Sequence, residues 1–321
     1  MYRGGLPRGW STGYCNHMAD SYGTMGFQLV VSRETDPVWN LAMEEIMFSE
    51  LAAGSCRLFV YRNSDSVICG RFQNPWLEAD TNWLAEQDVP LVRRASGGGT
   101  VWHDTGNWNF SFMMDRDGFD QQANLGFLGR CLEKLGFPVS ITGRGDLFLD
   151  GRKVSGNAMV KKSDRVLHHA SLLVDSDLAR LRRSLRLEIP QEMLVRSRGV
   201  ASVRSPVTRL ADHCSSERLA GLWDEILQIL TMSLNTDCRF SGGTDLNGID
   251  QLVGRNTSWD WNFGQTPEFT LTPATRPELA LTIRDGRVLD SFGAQALGLS
   301  GQIFPGVAGL VRMGFVGLNG Q

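Results

Sequence analysis

The segment Arg93-Arg-Ala-Ser-Gly-Gly-Gly-Thr-Val-Trp-His-Asp104 ends a β-type run in three glycines and resumes a β-like pattern at Val101. Without Cβ atoms a backbone can aim its amides at a ligand and approach it closely. The triplet could therefore cradle an anion, with Arg94 adding a fixed positive charge. Glycines are also the ordinary punctuation of loops, and a flexible turn is the competing reading. The spacing matches neither the P-loop nor the dinucleotide fingerprint, which disfavours those nucleotide folds.

A second candidate is Asp146-Leu-Phe-Leu-Asp-Gly-Arg-Lys-Val-Ser155, whose Asp150-Gly151 pair between β-type residues signals a two-residue hairpin. That register sets Leu149 opposite Arg152, Phe148 opposite Lys153, Leu147 opposite Val154 and Asp146 opposite Ser155. Alternation then gathers Asp146, Phe148, Lys153 and Ser155 on one face and Leu147, Leu149 and Val154 on the other. A carboxylate, an ammonium and a hydroxyl so collected could bind a phosphate with its metal ion. A solvated face carrying a weak ion pair is the alternative.

His168 and His169 fall in a β-type run, 166–174, where neighbours point to opposite faces, so they cannot act as a pair. His103 and Asp104 have the composition of a proton relay, but adjacency in a strand separates them too. Cys15, Cys56, Cys69, Cys131, Cys214 and Cys238 show no C-x-x-C spacing. That argues against a disulfide framework or a zinc site and fits a reducing cytoplasm.

The elements that must hold these residues can be read from period and punctuation. A strand is expected at 27–31, and a helix at 36–48, capped by Asp36 with proline in its first turn and a stripe of Leu41, Ile46 and Phe48. Short β-type runs follow at 57–61 and 66–69, a helical stretch at 83–87, and a strand at 89–94 that leads into the glycines. Helices are expected at 124–135 and 177–184, with three β-type runs between them, and a long amphipathic helix at 216–234 should pack on the sheet. From about residue 263 the composition turns to Pro, Thr and Gly, and a hairpin turning at Asp285-Gly286 suggests a small C-terminal domain. Mixed elements without strict βαβ alternation point to an α+β layer fold.

At 321 residues, with 42% apolar and 21% charged side chains, the chain is large enough for one or two globular domains. A net charge of -3 without a basic stripe argues against nucleic acid as partner. No run of about 18 apolar residues or signal core is found, so a soluble, unsecreted protein without a membrane span is expected. Residues 1–26 read as a disordered N-terminal extension.

Taken together, Asn40-Leu-Ala-Met-Glu44, Gly70-Arg-Phe-Gln-Asn-Pro-Trp76, the 93–104 segment, Gly106-Asn107 and Gly143-Arg-Gly-Asp146 resemble the lipoate–protein ligase A family. So do Arg152-Lys-Val-Ser-Gly-Asn-Ala158, His168-His169, Ser202-Val-Arg-Ser205 and Ser258-Trp-Asp-Trp-Asn-Phe-Gly-Gln265, in matching order and spacing. The resemblance implies an α+β catalytic domain at 27–262, built of mixed β-sheets flanked by helices like class II aminoacyl-tRNA synthetases and biotin ligases. A shortened C-terminal α+β accessory domain would occupy 263–321. It implies activation of lipoic acid by ATP and Mg²⁺ to lipoyl-AMP. Transfer would then go to a lysine of apo lipoyl domains, in 2-oxoacid dehydrogenase E2 subunits and in glycine cleavage H protein, by a cytoplasmic monomer.

Carried over by position, Lys153 is the catalytic residue that contacts both carboxylate and α-phosphate. Arg94, Ser96, Gly98, Gly99, Thr100, Val101, Trp102 and His103 would line the ATP and lipoyl-AMP site with Asp146, Gly156 and Ala158, and Asp146 would meet the Mg²⁺. Arg198, Ser202, Val203, Arg204 and Ser205 would form a loop that closes over the adenylate. Gly145 stands where asparagine is usual, and the C-terminal domain is short. These departures keep open a transferase that uses preformed lipoyl-AMP or octanoyl groups without adenylation, and a non-catalytic lipoate-binding protein. A cysteine-dependent octanoyl transferase finds no thiol at a matching position in Cys69 or Cys131, and the glycine motif resembles the lipoate branch rather than the biotin one.

Overall fold

The computed structural model describes residues 26–185, 189–241, 248–313 and 315. The expected N-terminal extension, all but its last residue, and the end of the 263–321 segment lie outside the described residues.

The central sheet has six strands in the order Asn157–Lys161, Arg165–Leu173, Asn107–Asp115, Cys56–Arg62, Phe27–Ser32, Cys238–Ser241. Its first three junctions are antiparallel and its last two parallel. Pleating sends Leu58 and Val60 to one face and Phe59 and Tyr61 to the other. Helices Gln121–Lys134 and Ser216–Leu234 cover the first face, as expected for the long helix, and Pro37–Ser49 covers the second. Because both faces are covered, strand Asn107–Asp115 is buried from Asn107 to Met114. Each large apolar side chain so enclosed contributes about 1.5–3 kcal/mol.

Local chemistry starts helix Pro37–Ser49 where the sequence reading puts it, while Gln121–Lys134 starts three residues before the expected 124. Asp36 Oδ1 accepts from Val38 N at 2.8 Å, and Pro37 takes the first turn. The stretch read as helical at 83–87 belongs to Thr81–Glu86, which begins earlier because Asp80 Oδ1 accepts from Trp83 N at 3.0 Å. Among the described residues no helix is long and apolar enough to cross a membrane.

Two small sheets carry the candidate chemistry. Ser66–Cys69 pairs in parallel with Leu91–Arg93 and antiparallel with Val101–His103, so the glycines connect two strands that share a partner. Ser140–Ile141, Leu147–Leu149 and Arg152–Ser155 form the other. Asp150 (φ 48°) and Gly151 (φ 75°) make the two-residue turn. Leu149 faces Arg152 and Phe148 faces Lys153 as expected, but the register then slips, and Leu147 faces Ser155 rather than Val154. A β-bulge supplies the extra residue. Leu147, Leu149 and Val154 still enter the core together.

A four-stranded antiparallel sheet, Met193–Ser197, Phe269–Pro273, Leu281–Arg284 and Arg287–Val288, has its own core. The 281–288 hairpin turns at Asp285 (φ 50°) and Gly286 (φ 71°). This sheet takes one strand from residues 193–197. It also takes a tryptophan from far upstream: Trp76 lies with its ring centroid 5.2 Å from Phe263 and 5.2 Å from Phe304.

Candidate functional site

Arg94 explains the shape of the glycine turn. Its guanidinium is buried and donates from Nη2 to Gly97 O at 2.6 Å and Gly99 O at 2.7 Å, and from Nη1 to Ile68 O at 3.1 Å. Drawing two carbonyls inward turns the amides of Gly98 and Thr100 the opposite way, since C=O and N–H are antiparallel across a trans peptide. Thr100 N then donates to Ser202 Oγ at 2.9 Å, while the amides of Gly97, Gly98 and Gly99 donate to no acceptor among the described residues. The sequence reading gave Arg94's charge to the bound anion; here Nε and Nη2 are engaged within the turn, and the side chain also borders the cavity.

Gly98 sits at φ 84°, and a Cβ there would come within 2.7 Å of Ala158 Cβ. That close approach brings the glycine turn against the segment after the lysine hairpin. Lys153 Nζ lies 2.9 Å from Asp146 Oδ1, and a Cβ on Gly156 would stand 3.0 Å from that ammonium. Turn and hairpin open onto one cavity of about 860 Å³. Arg94, Gly98, Gly99, Thr100, Val101, Trp102 and His103 line it, as do Asp146, Lys153, Gly156 and Ala158.

The third piece is the segment 198–207. Ser202 Oγ takes a second hydrogen bond from Gln73 Nε2 at 3.0 Å, and Val200 N donates to Phe72 O at 3.0 Å. Lys153 N donates to Pro206 O, and Thr208 N to Lys153 O, each at 3.0 Å. The loop is thereby stitched to the glycine turn at one end and to the hairpin at the other. Ser202, Val203, Arg204 and Ser205 reach the cavity. Arg198 does not: it is exposed and faces Glu268 at 3.7 Å. Ser96 stands behind the turn, buried outside the cavity wall.

The histidines and cysteines divide as their environments dictate. Burial pushes His103 down to about 3, helped by the charges of Arg94 and His169, so its ring is neutral and Nδ1 meets Asn63 Nδ2 at 2.9 Å. Asp104 instead accepts from Trp102 Nε1, Gly106 N and Asp177 N, so the two make no relay. His169 opens on the cavity while His168 packs between Phe112 and Phe119, confirming opposite faces. Burial pushes the Cys131 thiol up to about 12 and raises that of Cys69, and neither lines the cavity.

Sequence reasoning missed Glu44, a buried carboxylate beneath the site that accepts from Ser111 Oγ and from Tyr61 Oη at 3.3 Å. Burial raises its pKa, but the charge of His169 and hydrogen bonds from His169, Ser111 and Tyr61 outweigh that and hold it below the usual carboxylate range. The signal was available: helical spacing puts Glu44 on the same face as Leu41 and Phe48. Arg93 was also missed. It is fully buried and donates to Gly70 O at 3.0 Å, Gln73 O at 2.9 Å and Asn262 O at 2.7 Å, tying the glycine strand to the 258–265 segment.

The chain is similar to known proteins in sequence and in fold. The family model described as the lipoyl protein ligase A/B catalytic domain matches residues 36–230. Lipoate-protein ligase A of Psychrobacter cryohalolentis is 34% identical over 263 residues, covering 78% of this chain and 76% of its own. The lipoate complex of P. falciparum LipL1 superposes with a TM-score of 0.63 at 20% identity, over 82% of this chain and 83% of that one. The bipartite lipoate protein ligase of Thermoplasma acidophilum, studied with its E2 lipoyl domain, gives 0.59 at 22% identity, over 75% and 97%. The two structures share the fold. With the extent of the family match and the identity to the bacterial relative, the chain belongs to the lipoyl protein ligase A/B catalytic-domain family.

Proposed function

We propose that the chain is an ATP-dependent lipoate–protein ligase that forms lipoyl-AMP and passes the lipoyl group to a lysine of an apo lipoyl domain. The observation that carries this is the meeting of the Lys153 ammonium with unpartnered glycine-turn amides in one cavity. A carboxylate is a poor acyl donor, because an amine cannot expel its oxide. Attack of the lipoate carboxylate oxygen on the α-phosphorus of ATP makes the mixed anhydride and releases pyrophosphate.

The two anions repel. Lys153, with three donors, holds the carboxylate beside the α-phosphate and offsets charge building on the phosphoryl oxygens. Asp146 keeps that ammonium over Gly156. Amides of Gly98 and Gly99 face the phosphate, Thr100, Val101 and Trp102 continue the wall, and Ser202 to Ser205 cover the adenylate. The acceptor amine then attacks the acyl carbon, the bond to the phosphate oxygen breaks, and AMP leaves with no thiol involved.

A Mg²⁺ ion carried with ATP fits the donor set, since one carboxylate such as Asp146 beside phosphate oxygens is an arrangement this ion takes. Bound there it spreads the phosphate charge. The same reading makes the protein a cytoplasmic monomer that serves E2 lipoyl domains and glycine cleavage H protein. Residues 27–262 are its catalytic unit and 263–321 an accessory unit.

Purified protein, lipoate, Mg-ATP and an apo lipoyl domain test it by acceptor mass. A gain that requires ATP is expected. A gain from preformed lipoyl-AMP alone would make the protein a transferase, and no gain from either would leave it a binding protein. Lys153→Ala should abolish pyrophosphate release while keeping the wild-type melting temperature within a few degrees. Release at near wild-type rate by that variant would overturn the mechanism.

A further inference from the structure

The glycine turn is held from behind by a chain of polar side chains drawn from three separate elements. Arg94 Nε donates to Ser96 Oγ at 2.9 Å, and Ser96 Oγ lies 2.9 Å from His169 Nε2. His169 Nδ1 lies 3.2 and 3.3 Å from the two oxygens of Glu44, whose carboxylate is fixed in turn by Tyr61 and Ser111. Ser96, Arg94 and Glu44 are buried, on the loop and on helix Pro37–Ser49, while His169 comes from strand Arg165–Leu173.

Directions follow from the donor inventory. The carboxylate can only accept, so Nδ1 donates to Glu44, and Nε2 is left facing the Ser96 hydroxyl. That hydroxyl oxygen then receives the Arg94 Nε–H, which it shares with Gly97 O at 3.1 Å. A guanidinium is planar, so fixing Nε–H fixes the plane in which Nη2 reaches Gly97 O and Gly99 O. Although His169 borders the cavity, both of its nitrogens are engaged, which leaves neither to meet a ligand.

We propose that His169, oriented by Glu44, is a positioning residue for the anion-binding turn, acting on it through Ser96 and Arg94. It sets the direction of the glycine amides without touching substrate, and Ser96 belongs to the same device. The activity part of the test rests on the adenylation reading above. Loss of the Ser96 partner misaims the amides, so Ser96→Ala and His169→Ala should each slow lipoate-dependent ATP–pyrophosphate exchange by roughly 10- to 100-fold in kcat with little change in KM for lipoate.

The double variant should be no slower than the slower single one, since both break one chain. His169→Gln, whose amide reaches the Nε2 position, should recover most of the rate, and His169→Asn, which is too short, should not. Independently of activity, amide hydrogen exchange in the peptide spanning 94–100 should accelerate in Ser96→Ala and His169→Ala and return toward wild type in His169→Gln. Losses that multiply in the double variant, a glutamine variant as poor as alanine, or unchanged exchange at 94–100 would each overturn the proposal. If wild-type protein shows no pyrophosphate exchange, the ligase reading falls, and the hydrogen-exchange result alone decides this one. Should His169→Ala fail to fold, Ser96→Ala and His169→Gln carry the comparison.

Discussion

At the scale of single residues, the glycine turn works because one side chain organises it and one position tolerates no other residue. Arg94 draws the carbonyls of the turn inward, so its guanidinium acts through geometry, which a lysine at that position could not reproduce. Gly98 combines a left-handed φ of 84° with a neighbour 2.7 Å from any added Cβ. Alanine there costs about 1–2 kcal/mol in backbone strain alone and pushes the turn away from Ala158. Gly98→Ala should therefore reduce pyrophosphate exchange by roughly 100-fold, on the effect expected when a reacting group is displaced by about 1 Å. A variant that exchanges at the wild-type rate would show that the turn does not hold the phosphate.

At the scale of elements, strand Arg165–Leu173 faces two environments, and acid should distinguish them. Its His168, on the face away from the cavity, is buried against Phe112 and Phe119, with Nδ1 3.2 Å from Asn124 Nδ2 and Nε2 3.3 Å from Asn157 Oδ1. Burial lowers its pKa from 6.5 to about 4, with a further push from the charge of His169. The folded state thus binds this proton less readily than the unfolded state. Its stabilising contribution is complete above pH 6.5 and is lost as pH falls toward 4, at about 1.4 kcal/mol per pH unit. His103, lowered to about 3, acts in the same direction. The melting temperature should drop between pH 7 and pH 5, and His168→Asn should flatten that slope while lowering stability at pH 7. An equally steep decline in the variant would assign the acid sensitivity elsewhere.

At the scale of the molecule, much of the family resemblance turns out to be joinery. Trp76 follows the Asn74 cap and Pro75 of a one-turn helix, and its ring fills the core of the C-terminal sheet. Arg93 binds carbonyls on both sides of that junction. Strand Met193–Ser197 extends the same sheet immediately before the segment that closes on the glycine turn. The C-terminal sheet and the 198–207 segment are therefore mechanically continuous. Trp76→Ala should cost about 3–5 kcal/mol, the usual range for emptying a buried aromatic site. Urea denaturation would measure it, and a change below about 1 kcal/mol would mean that the two cores are independent.

How much of this was legible depends on the distance over which each feature is decided. Asp36 and Pro37 start a helix, Asp150-Gly151 turns a hairpin, and the apolar period of 216–234 makes a helix, because each is settled by neighbours a few positions away. The residue patterns also sufficed to recognise the family and to nominate Lys153 and the glycines. The aim of the Arg94 fork, the bulge at Leu147, the seat of Trp76 and the burial of Glu44 were not readable. Ser202 meets Thr100 across 102 positions of chain, and Ser96 meets His169 across 73. Contacts at such separations leave no local period. Packing alone decides them, by excluding water from a buried donor or acceptor until some distant partner satisfies it.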